Sequence, residues 1–143
     1  MKELQFDTGL VTYKVNGGHE ITFNPGDLRF VKRLYDTFDK LAERQDEAKK
    51  ENTEGMDGKA FFVMTEKRDA EMRKDLDALF GEGASDAIFQ DLSVEAIAGG
   101  FPLWANFLLA VIDEIDENLA QEEQKGHAKY EKYMKKYNAY KRK

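Results

Sequence analysis

Few side chains in this sequence are set out for chemistry. The only histidines are His19 and His127. The first stands beside an Asn-Gly-Gly turn signal and the second in a lysine-rich stretch. Neither lies at a spacing that builds a Ser-His-Asp relay. Carboxylates recur at Asp113, Glu114, Asp116, Glu117, Glu122 and Glu123. Pairs three residues apart face one another on a helix, which is a geometry a cation can use. No imidazole joins them, however, and the pattern fits a solvated helix face. Gly81-Glu82-Gly83 and Gly99-Gly100 are followed by no Lys-Ser/Thr and belong to no dinucleotide fingerprint. They read as helix ends and bends instead of phosphate cradles. The chain has no cysteine, which removes thiol catalysis, disulfides and thiolate metal sites. The expectation is a protein with no catalytic residue, no metal and no cofactor, hence not an enzyme.

Apolar and aromatic surface is more abundant. Phe101, Leu103, Trp104 and Phe107 concentrate large side chains within seven residues. Such a cluster is either core or an anchor for a partner, since Trp is favoured at binding hot spots. Tyr130, Tyr133, Tyr137 and Tyr140 follow at spacings of three, four and three, with lysines between them. On a helix they share one face and form a packing seam. Lysines with interleaved aromatics also suit single-stranded nucleic acid. Charge bears on that choice. The net charge is −6, to which residues 125–143 contribute +7 from eight Lys/Arg and one Glu, leaving −13 on residues 1–124. The acidic body repels phosphate and favours protein as the partner. These eight aromatic and apolar residues are the expected partner-binding set.

These residues need elements to hold them. At 143 residues the chain is long enough for one domain with a modest core. The pattern predicts a mainly α protein with a small N-terminal β-hairpin, that is, a helical bundle ending in a long helix. The alternation Val11-Tyr13-Val15, the turn Asn16-Gly17-Gly18 and the alternation Ile21-Phe23 predict the hairpin within about residues 1–24, with Leu4 to Phe6 as an optional third strand. Asp27 caps a helix reaching about Lys50. A second helix covers Ala60 to Phe80, with Phe61 to Met64 as an optional extended piece. Ser85 and Ser93 each cap a short helix, 86–90 and 94–98. Pro102 opens a final helix from Leu103 to about Tyr140, with a kink at Gly126. The domain so defined is 1–124, and 125–143 is a basic, tyrosine-rich helical extension. The expected core holds Val31, Leu34, Tyr35, Phe38, Leu41, Leu76, Leu79, Phe80, Phe89, Leu92, Phe107, Leu108, Val111 and Ile115. No apolar run reaches the roughly 18 residues of a membrane span, and MKELQFDTG lacks the apolar stretch of a signal peptide.

Three segments together resemble one family. They are the hairpin running through Phe23-Asn24-Pro25-Gly26-Asp27 into the helix FVKRLYDTF, the segment LFGEGASDAIF at 79–89 within Leu76 to Phe89, and the final helix with its tyrosine- and lysine-rich end. In this order they look like tail assembly chaperones of phage and prophage tail gene clusters from Gram-positive bacteria. The resemblance implies a helical assembly factor of the host bacterial cytoplasm. It would cover the tape measure protein and aid assembly of the tail tube protein around it, and self-association through the hairpin edge would build the coat, because an unpaired strand edge invites pairing. It also implies exposed apolar side chains rimmed by charge. The competing expectations are a minor structural tail protein, and a small nucleic-acid-binding protein using residues 125–143.

Overall fold

A computed structural model describes residues 1–51 and 53–121. The expected tail 125–143, the kink at Gly126, the far part of the final helix and Tyr130, Tyr133, Tyr137 and Tyr140 lie outside the described residues.

The chain opens with a hairpin of β1 (Val11–Lys14) and β2 (Glu20–Phe23), antiparallel with Val11 opposite Phe23 and Tyr13 opposite Ile21. Asn16 and Gly17 take positive φ (49° and 74°), as a tight hairpin turn of this hand requires. Ile21 and Phe23 are buried, while Thr12 and Thr22 face outward and share a 2.8 Å hydroxyl hydrogen bond. Helix α1 (Leu28–Lys50) follows at once. The Asp27 carboxylate accepts from the Arg29 N–H, and the Asn24 side-chain oxygen accepts from the Gly26 N–H. Helix α2 (Gly58–Phe80) starts at the cap Asp57, which accepts from the Ala60 N–H at 2.7 Å. Phe61 to Met64 are therefore helical, not extended. Gly81, with φ 113°, ends α2.

Helices α1 and α2 run antiparallel. Arg33 donates to the Ala78 carbonyl, and Arg44, eleven residues on, bonds Asp75 and Glu71. Helix α3 (Ala84–Phe89) packs on α2. A small hairpin of β3 (Ile97–Ala98) and β4 (Phe101–Pro102) then leads into helix α4 (103–121). The core has Leu34, Leu41, Met72, Leu76, Val94 and Leu108 at its centre. Aromatic rings bind its layers into one relay. Tyr13 stacks on Phe23 (4.7 Å) and Phe23 on Phe30 (4.8 Å); Phe30 meets Phe80, Phe80 meets Phe107 and Phe107 meets Phe89. Offset and edge contacts of this kind add to the burial of the rings themselves.

The architecture is the expected one, mainly helical with an N-terminal hairpin, but four local expectations are corrected. Leu4 to Phe6 form no strand with their own hairpin and stand in solvent. Ser85 does not cap α3. The cap position is Gly83, and Ser85 lies inside the helix, buried, with its Oγ unpartnered. Asp77, at the end of α2, replaces it by accepting from the Ser85 N–H at 2.8 Å. The expected helix 94–98 is a turn followed by β3. Ser93 Oγ does accept from the Glu95 N–H, but Gly99 and Gly100 at φ 62° and 87° fold the chain back as a hairpin. Pro102 consequently belongs to β4, one residue before α4. Finally, Tyr35 and Leu92 are exposed and not core. Tyr35 sits one residue past Leu34, about 100° around the helix from the buried stripe Phe30, Leu34 and Leu41, and Leu92 lies in the turn after α3. Val31, Phe38, Phe80 and Phe107 pack at the margin of the core, and the remaining expected core residues are within it.

Candidate partner-binding surface

Helix α4 presents two faces. Trp104, Leu108, Val111 and Ile115 recur at spacings of four, three and four and point into the core. Leu103, Asn106, Phe107 and Ala110 occupy the neighbouring face. With Val15 and Asn16 of the hairpin tip, Ile88 and Phe89 of α3, and Leu92, they line a cavity of about 240 Å³. A second cavity of similar volume lies between the hairpin and α4 and shares Val15, Asn16, Phe107 and Ala110 with the first. Together they make an apolar trough along α4. Its outer lip is Leu92, 59% exposed, and Lys14 and Glu114 stand at the other end. Apolar walls with a few charges at the margin are the make-up of a protein-docking groove.

Two arginines of α2 hold the outer wall in place, Arg73 through most of the bonds. Arg73, on α2, is only 14% exposed. Its guanidinium donates to Asp69 Oδ2 (2.8 Å), Asp86 Oδ1 (2.9 Å), the Gln90 carbonyl (3.0 Å) and the Leu92 carbonyl (2.6 Å). Burial works against the charge, but the carboxylates of Asp86 and Asp69 outweigh it and raise the guanidinium pKa. Asp69 uses its other oxygen to accept from the Val94 N–H. Arg68 pairs with Glu95 at 2.6 Å. The turn 90–95, which has no helix or strand of its own, is thus stapled to α2 by planar, forked donors suited to carbonyls and carboxylates. The hairpin wall is held differently. Tyr13 stacks on Phe23, and burial followed by the charges of Glu114 and Glu117 raises its phenol pKa.

The structure separates the expected partner-binding residues. Leu103 and Phe107 come together in the trough. Phe101, on β4, is exposed. Trp104 is 3% exposed and sits on the core side, edge-on to Phe38 at 5.2 Å, with Nε1 donating to Gln45 Oε1 at 2.9 Å. Its indole is satisfied inside the fold. Ile88, Leu92, Val15 and Ala110 are trough residues that sequence reasoning did not single out. They converge from three elements, and no spacing along the chain marks them. A further apolar exposure, Met56, Phe61, Phe62 and Val63, lies at the start of α2. Asp113, Glu114, Asp116 and Glu117 are exposed along α4, and the His19 carbonyl accepts the Val15 N–H of the hairpin turn. Among the described residues no three His, Asp or Glu gather to hold a metal, and no helix is long and apolar enough to cross a membrane.

Comparison of the chain with protein-family models, with curated proteins and with solved structures returns no match.

Proposed function

We propose that this protein acts by binding other proteins, as an assembly factor resembling the tail assembly chaperones of phage, and that the trough along α4 receives an amphipathic helix of an elongated partner such as a tape measure protein. The observation that carries this reading is an open apolar trough lined by Leu103, Phe107, Ile88 and Leu92. A helix laying apolar residues into such a groove has its anchors at i, i+3, i+4 and i+7. A chaperone must release its client, and a shallow trough with a single projecting lip suits reversible cover better than an enclosed pocket. The body's acidic character limits unwanted contact with nucleic acid, and binding in place of catalysis fits a site with no convergent polar groups.

The test is co-purification with a long amphipathic helical protein of the tape measure kind. Leu92→Asp replaces an exposed side chain and should leave the fold intact, while placing a charge at the lip of the trough. We expect about a tenfold or greater loss of partner binding, the cost of desolvating a carboxylate there. Unchanged binding by Leu92→Asp together with Leu103→Asp would remove the trough from the reading. Binding that instead collapses steeply with salt and requires residues 125–143 would favour the nucleic-acid alternative.

A further inference from the structure

Residues 1–8 have the pattern of a strand and no strand beside them. Leu4, Phe6 and Thr8 alternate with Glu3, Gln5 and Asp7, the spacing that puts each set on one face of a strand. In solvent this arrangement is costly, since Leu4 is 92% and Phe6 82% exposed. No backbone–backbone hydrogen bond joins residues 1–8 to any other described residue.

The arm is nevertheless given a direction. At Gly9 the backbone takes φ 71°, and a Cβ there would come within 2.7 Å of the Asn24 side chain. Asn24 donates to the Thr8 carbonyl at 2.8 Å, and its oxygen accepts from the Gly26 N–H. This elbow fixes where the arm leaves. It leaves past the end of the ladder, because β2 stops at Phe23 and the chain turns away into α1. Among the described residues no strand pairs with the arm.

The matching vacancy is the outer edge of β1. The Val15–His19 pair is joined by a backbone hydrogen bond, and the ladder register makes Tyr13–Ile21 and Val11–Phe23 the bonded pairs after it. Thr12 and Lys14 therefore turn their N–H and C=O groups outward, and among the described residues nothing pairs with them. Leu10 and Val11 are exposed beside this edge. In β2, Ile21 and Phe23 are buried, and Phe23 lines a cavity with Arg29 and Arg33 of α1.

We infer that residues 1–8 of one copy of this chain add as a strand to the β1 edge of a second copy, and that the exchange is reciprocal. Arm and edge are present in equal number on every copy, as a two-fold contact requires. The arm's Leu4 and Phe6, on one face of the added strand, would cover the edge's Val11, which puts Glu3 on the face of Lys14. The proposal concerns contact between copies and stands apart from what the trough receives.

The experiment is sedimentation of the full chain, wild type against Leu4→Asp with Phe6→Asp. Both residues are exposed, so helical content by circular dichroism should not change. Wild type should sediment as a dimer, and the double variant should dissociate about 100-fold more readily, because two charges enter an apolar strand interface. A monomeric wild type, or a double variant of unchanged size, overturns the proposal. Mixing Glu3→Cys chains with Lys14→Cys chains locates the contact. With oxidised glutathione added as the electron acceptor a mixed disulfide is expected, and a dimer that yields none places the contact elsewhere and sinks the arm-to-β1 assignment. Leu92→Asp should leave the size unaltered.

Discussion

Replacing Arg73 by Met tests how far this cation holds the trough's outer wall. The substitution keeps most of the aliphatic stem and removes four hydrogen bonds. They are not equal. Asp86 is 77% exposed, so that contact contributes little. The other three link a mostly buried guanidinium to Asp69 and to the carbonyls of Gln90 and Leu92. Bonds to charged groups contribute roughly 1.5–3 kcal/mol each, and orphaned buried partners cost about 1–3 kcal/mol. Fully buried pairs broken on one side lose about 3–5 kcal/mol. Water can reach this site from the Asp86 side, so the lower end applies, about 3 kcal/mol. Against a total stability of about 5–15 kcal/mol the protein should still fold, melting about 10 °C lower. Urea unfolding followed by circular dichroism reads this as a lower midpoint at unchanged slope. Arg73→Lys should recover less than half, because an ammonium cannot span two carbonyls and two carboxylates. Asp86→Asn should cost under about 0.5 kcal/mol. A loss below about 1 kcal/mol in Arg73→Met, or full recovery by Lys, would refute the account of the wall.

Trp104 is the sole tryptophan, so its fluorescence reports its surroundings directly. Emission should be blue-shifted and resist iodide quenching, and Trp104→Ala should lose about 3–5 kcal/mol; an easily quenched indole would contradict its place against Phe38 and Gln45. Tyr13 predicts a pH effect. Its pKa is raised in the fold, first by burial and then by Glu114 and Glu117, so the folded state favours the protonated phenol. That contribution is complete below the ordinary value of 10.0 and is lost as pH climbs through the higher folded value. Urea midpoints should fall less steeply in alkali for Tyr13→Phe than for wild type, and identical slopes would show the phenol to be unperturbed.

Much of the fold was legible where local signals agree. The Asn16-Gly17 turn between alternating strands, the Asp27 cap ahead of a 3.6-residue apolar period, and the glycine stop at Gly81 each name an element and its end without help from distant residues. Legibility failed where a local cue lost to a partner far along the chain. Ser85 and Ser93 both look like caps. But Asp77 caps α3 from across the turn, and Asp69 and the Gly99-Gly100 bend draw residues 93–102 into a hairpin. Leu92 looks like core because of its type, yet Arg73 holds its backbone while its side chain projects. The trough was only partly legible. Leu103 and Phe107 were in view as helix neighbours, whereas Val15, Ile88 and Leu92 join them only after three elements dock. Trp104 illustrates the limit of residue type as a guide, since an aromatic suited to an interface here finds its hydrogen-bond acceptor in Gln45.

The ring relay from Tyr13 to Phe89 has a consequence for the order of events during folding. A lone two-stranded ribbon is marginal in water, and this one rests on Phe30, Phe80 and Phe107, of which the last two are more than fifty residues away along the chain. The ribbon is therefore stabilised only after the helices have collected behind it. A half-made chain leaving the ribosome carries no stable strand edge for a sibling to seize, and mispairing between nascent copies is delayed until each has a finished helical body.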